Sequence, residues 1–147
     1  MSSGLVRLLR ELVAIDSTST GTNLPMVAAL ERHLVARGFS CEVQRYRDDA
    51  GVEKANLLGT RGEGLPELAL VGHSDCVPFD PSWTEALTLT EREGRLIGRG
   101  ACDTKAFIAC ALQAAERTQG RLTASREPGL GVRPLMDVLG APLQAWA

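Results

Sequence analysis

The chain has 147 residues, enough for one ordinary domain with a core of its own, and its 44% hydrophobic and 23% charged residues are those of a globular protein. A formal charge of −2 supplies no basic field for nucleic acid or an anionic membrane surface. No run approaches the ~20 apolar residues a membrane span needs, and Glu11 and Asp16 interrupt the start where a leader peptide would stay apolar, so a cytoplasmic location is expected.

In chain order, Leu5, Leu8, Leu9, Leu12 and Val13 recur at helical spacing and predict a helix over 4–15. Turn chemistry in Asp-Ser-Thr-Ser-Thr-Gly-Thr-Asn follows. A second helix then opens at Pro25, carries Val27, Leu30, Leu34 and Val35, and closes at Gly38. Strand character occupies 41–47, 55–61 and 67–75. The last of these, Glu-Leu-Ala-Leu-Val-Gly-His-Ser-Asp, is apolar at consecutive positions, as in a strand covered on both faces. A hairpin turning at Glu93-Gly94 is expected in 87–100, and a third helix from Asp103 to about Thr118, with Asp103 suited to cap it. From 119 to 147 there are 7 Gly plus Pro in 29 positions, which makes an irregular tail the expectation.

Cys41, Cys76, Cys102 and Cys110 form no C-x-x-C pair and are expected to be free and mostly buried. His33 falls on the polar side of the second helix and reads as a solvent-facing histidine. Gly98-Arg99-Gly100 lacks the remainder of a phosphate-binding loop, and no G-x-S-x-G motif suggests a serine hydrolase.

The chemistry concentrates in two short segments. Gly72-His73-Ser74-Asp75 ends the apolar strand, a place where ligands sit in α/β sheets. Residues two apart on an extended backbone point the same way, so Asp75 can support the His73 imidazole while the other ring nitrogen meets a metal. A histidine merely bonded to a neighbouring carboxylate would look the same. Thirty residues on, Gly98-Arg99-Gly100-Ala101-Cys102-Asp103-Thr104-Lys105 presents Asp103 at a helix start, where a plain helix cap is the alternative.

Together these segments resemble the metal-dependent aminoacylase and carboxypeptidase family, which includes acetylornithine deacetylases, succinyl-diaminopimelate desuccinylases and glutamate carboxypeptidases. The resemblance covers about residues 4–118. Ala106 departs from it, since a glycine usually follows the residue matching Lys105. The run His73-Ser74-Asp75-Cys76-Val77-Pro78-Phe79-Asp80, with Trp83 nearby, is most similar to the acetylornithine deacetylase branch.

The resemblance implies an α/β fold: part of a three-layer α/β/α catalytic domain with a mixed, mostly parallel sheet, here truncated. It implies that His73 binds one metal ion, that Asp75 orients it, and that Asp103 bridges two Zn²⁺ ions, for which Co²⁺ can substitute. The implied reaction is removal of an acyl group from a small-molecule N-acyl amino acid, with N2-acetyl-L-ornithine giving ornithine and acetate. Desuccinylation of succinyl-diaminopimelate, or hydrolysis of another N-acyl amino acid, is the alternative. Full-length members often form homodimers.

Two metal ligands do not make a two-zinc site, and after Asp103 only Glu116, Glu127 and Asp137 are acidic, with no further histidine. The expectation is therefore family sequence over 1–118 and unrelated sequence over 119–147, in a truncated or frame-shifted product that lacks its general base and is inactive alone. A noncatalytic remnant that pairs through an open sheet edge is the alternative from another class.

Overall fold

The computed structural model describes residues 3–63 and 68–117; the expected tail at 119–147 and Glu67 of the expected third strand lie outside them. Helix α1 spans Ser3–Ala14 and buries Leu8, Leu9, Leu12 and Val13, the stripe its spacing predicts. Helix α2 spans Leu24–Val35 with Pro25 in its first turn, where a missing N–H costs nothing. It ends as Gly38 turns to φ 77°, so that the Gly38 amide donates to Val35 O at 3.0 Å and the Phe39 amide to Leu34 O at 3.1 Å.

Strands β1 (Ser40–Arg47) and β2 (Glu53–Thr60) pair antiparallel from Ser40 opposite Thr60 to Arg47 opposite Glu53. The hairpin lies flush on α2 because Gly59 has no side chain: a Cβ there would come within 2.8 Å of Leu34 Cδ1. Strands β3 (Thr90–Arg92) and β4 (Arg95–Ile97) form the expected second hairpin. Both turn residues have positive φ, Glu93 at 53° and Gly94 at 71°, as a tight two-residue turn requires. Helix α3 runs Ala106–Arg117 and packs Ala109 and Leu112 onto α1, closing a core with Leu8, Leu9, Leu12, Val13, Met26, Leu30, Leu89 and Ala101.

The mixture of helices and strands is the α/β content expected, but its pairing differs. Among the described residues both two-stranded sheets are antiparallel, and the single parallel contact is a bridge between Thr18 and Cys76. Residues 68–75, expected as a strand covered on both faces, form no strand. A strand needs a ladder partner, and here only Cys76 finds one: its amide donates to Ser17 O at 3.0 Å and its carbonyl accepts from the Ser19 amide at 2.8 Å. Leu68, Leu70 and Val71 are correspondingly 75%, 56% and 65% exposed. The cysteines also depart from expectation: all four are free, but Cys76 alone is buried, and Cys102 and Cys110 are exposed.

One side chain joins these pieces. Asn23, just ahead of α2 and nearly buried, donates through Nδ2 to Ala55 O at 2.9 Å and to Ser74 Oγ at 3.2 Å, while its Oδ1 accepts from the Ala55 amide at 2.9 Å. It thereby serves Ala55 of β2 as a neighbouring strand would. Asn23→Ala strands a buried donor and a buried acceptor together, so chemical unfolding is expected to show a loss of about 2–3 kcal/mol. A loss under about 0.5 kcal/mol, the range of ordinary surface substitutions, would show that water replaces the amide without penalty.

Candidate metal centre

His73 lies in the extended stretch that reaches the core at Cys76, and Asp103 lies in the kinked turn Ala101–Lys105 that precedes α3. Two glycines let that turn sit where it does. A Cβ on Gly98 would stand 2.8 Å from Val13 Cγ1, and one on Gly100, whose φ is 71°, would stand 3.1 Å from Cys76 Cβ. Gly98-Arg99-Gly100 is therefore a close-approach device that carries the turn against the stretch bearing His73.

The result brings the two segments into contact across 30 positions of chain: His73 Nε2 is 2.9 Å from Asp103 Oδ1. The other ring nitrogen, Nδ1, is 3.0 Å from Asp75 O and 3.2 Å from Asp75 Oδ1. The Thr104 hydroxyl donates to His73 O at 2.8 Å, a second tie between the same two segments. Asp103 does not cap the helix. Its φ and ψ of −120° and 94° are non-helical, α3 starts three residues later at Ala106, and its carboxylate is turned to the imidazole.

All three polar side chains of the cluster remain accessible, at 48% for His73, 44% for Asp75 and 77% for Asp103. Oxygen acceptors face both ring nitrogens, a pattern that only a doubly protonated imidazole satisfies. Partial burial pushes the His73 pKa down, but the hydrogen bonds to Asp103 and Asp75 and the charges of both carboxylates outweigh it, leaving it above the ordinary histidine value.

Beneath the turn, Lys105 is 1% exposed, and its Nζ donates to Ile15 O at 2.9 Å, tying the turn to the end of α1. Burial lowers its pKa, with Cys76 and Asp16 working in the opposite direction. Sequence reasoning placed His73, Asp75 and Asp103 but gave no positioning role to Asn23, Thr104 or Lys105. Their roles lie in hydrogen bonds between segments distant in the chain. Only Lys105 carries a local signal, a lone lysine immediately before the apolar start of α3, Ala106-Phe107-Ile108. His33, expected to face solvent, is partly buried against α1, with Nε2 3.1 Å from Glu11 Oε2.

The donor set is one imidazole nitrogen and one carboxylate, both suited to zinc. Among the described residues no group of three or more His, Cys, Asp or Glu side chains is placed to hold an ion, so His73 and Asp103 form at most half of a four-ligand shell. A cavity of about 160 Å³ is lined by Cys76, Val77, Arg99 and Asp103 among others.

Comparison with known proteins bears on this geometry. Residues 69–126, which hold His73, Asp75 and Asp103, match the model of Peptidase family M20/M25/M40, and the last matched positions fall beyond residue 118. Acetylornithine deacetylase of Myxococcus xanthus is 53% identical over 140 residues, covering 88% of this chain and 37% of the relative. That of Proteus mirabilis (strain HI4320) is 40% identical over 117 residues, covering 74% and 30%. Succinyl-diaminopimelate desuccinylase of Xylella fastidiosa (strain M12) is 39% identical over 107 residues, covering 71% and 26%. The chain thus spans between about a quarter and two fifths of the length of these relatives. Through this matched segment, which holds the His73 and Asp103 contact, the chain is similar to Peptidase family M20/M25/M40.

Proposed function

We propose that this chain carries part of the catalytic centre of a metal-dependent hydrolase acting on an N-acyl amino acid, with N2-acetyl-L-ornithine as substrate in arginine biosynthesis in the cytoplasm. The observation that carries the reading is the 2.9 Å approach of His73 Nε2 to Asp103 Oδ1, since a nitrogen and a carboxylate oxygen converge there from separate segments. The names of the most similar relatives favour acetylornithine over succinyl-diaminopimelate as the substrate.

His73 and Asp103 would hold the divalent ion, zinc by the character of the donors. When bound, the ion supplies Lewis-acid activation of water and of the acyl carbonyl. Asp75 keeps a proton on Nδ1 and so leaves Nε2 as the donor nitrogen. Thr104 fixes the backbone on which the imidazole is mounted. The general base and the remaining ligands would come from outside the described residues.

Zinc calorimetry on the 147-residue chain tests this. One ion should bind per chain, with affinity falling about tenfold or more in His73→Ala and in Asp103→Ala. Because Cys102 and Cys110 are exposed thiols, the same titration in Cys102→Ser/Cys110→Ser should retain the binding. Zinc uptake that survives both ligand substitutions and disappears with the thiols would sink the proposal.

A further inference from the structure

Arg99 has an environment that the metal reading does not use. It sits between the two glycines of the turn, four positions before Asp103, and its guanidinium carbon lies 5.2 Å from the Trp83 ring centre and 5.9 Å from that of Phe79. The two rings pack edge to face at 6.4 Å and 81°. Both belong to the loop that leaves His73-Ser74-Asp75, so the sequence bearing the histidine also supplies the clasp around the arginine.

Aromatic rings hold a guanidinium in place and leave its N–H donors unsatisfied. Among the described residues Arg99 makes no ion pair. Its Nε is buried without a hydrogen-bond partner, whereas Arg32, Arg37, Arg45 and Arg92 all pair with carboxylates. An unpaired, pre-oriented cation on a cavity of about 160 Å³ that Asp103 also lines is a receptor for an anion. Every N-acyl amino acid carries one, a carboxylate on the carbon attached to the scissile amide nitrogen.

Resting on the reading above, we propose that Arg99 recognises the α-carboxylate of the N-acyl amino acid, held in the aromatic clasp of Phe79 and Trp83. Arg99 is then a specificity residue: it binds the amino-acid half of the substrate while His73 and Asp103 lie on the side of the acyl carbonyl.

The test needs no turnover. In the Trp146→Phe chain the single indole N–H signal in a proton–nitrogen spectrum belongs to Trp83. N-acetylglycine is expected to shift that signal saturably. N-acetylglycinamide, the same molecule with its carboxylate made neutral, should bind about tenfold or more weakly. In Arg99→Gln the acid should lose its advantage over the amide, and Arg99→Lys, which keeps the charge but not the forked donors, should recover only part of it.

Equal shifts by acid and amide in the Arg99-bearing chain would overturn the proposal even if the variants fail to fold. So would undiminished preference for the acid in folded Arg99→Gln. Zinc calorimetry on the same Arg99-bearing chain reports separately: loss of zinc binding with the acid preference intact removes the metal reading alone, and the reverse removes the carboxylate site alone.

Discussion

Leu12→Ala is expected to destabilise the chain by about 3–5 kcal/mol, measured by urea unfolding. Leu12 is fully inaccessible at the centre of the cluster formed by α1, α2 and α3. The substitution removes three buried carbons, worth roughly 2–3 kcal/mol in transfer, and leaves a void that helices held by Val13, Met26 and Ala109 cannot collapse to fill. Leu5, on the same helix but only partly buried, provides the internal comparison: Leu5→Ala should cost clearly less. Equal losses at the two positions would mean that the observed packing of α1 is wrong.

Lys105→Ala should be nearly as damaging, at about 3 kcal/mol, although the position carries a charge. Two effects oppose each other. Losing the side chain empties the space its stem fills beside Gly100 and leaves Ile15 O without its donor, while removing a buried ammonium relieves the cost of dehydrating it. The hydrogen bond already compensates most of that cost in the native chain, so the void and the orphaned carbonyl should win. Lys105→Met, which refills the stem without the charge, should recover more than half of the loss.

The pH dependence has a definite sign. The folded lysine has a pKa below its unfolded value, so between those two values the unfolded chain binds more protons. Stability relative to Lys105→Met should therefore rise as pH climbs from the folded pKa toward about 10.4, the unfolded lysine value. A relative stability that falls over that interval would mean that the folded environment favours the ammonium.

The helices and hairpins were legible because their signals are local. The 3.6-residue apolar stripe of α1, Pro25 and Gly38 around α2, and the Glu93-Gly94 turn each settle a few dihedrals within a few residues of chain. The segment 68–75 was misread for the opposite reason. Apolar composition says that Leu68, Leu70 and Val71 suit a buried strand, but becoming one depends on a neighbour, and no described residue supplies it. His73 and Asp103 were found as residue types at a family spacing. Their meeting could not be derived from composition, since it depends on Gly98 and Gly100 allowing the turn to approach Val13 and Cys76. The same distance in sequence concealed Asn23 and its bonds to Ala55 and Ser74.

The closeness of Gly98 to Val13 extends beyond packing. Val13 is a core residue of the first helix, and the missing methyl at Gly98 is the clearance on which the position of the Asp103 carboxylate depends. A bulkier residue at position 13 would act as a lever, its extra volume arriving as a displaced carboxylate at the far end of the turn. The tolerance of position 13 to mutation is therefore tied to the alignment of Asp103 with His73, and at this point the interior and the reactive surface of the chain are coupled.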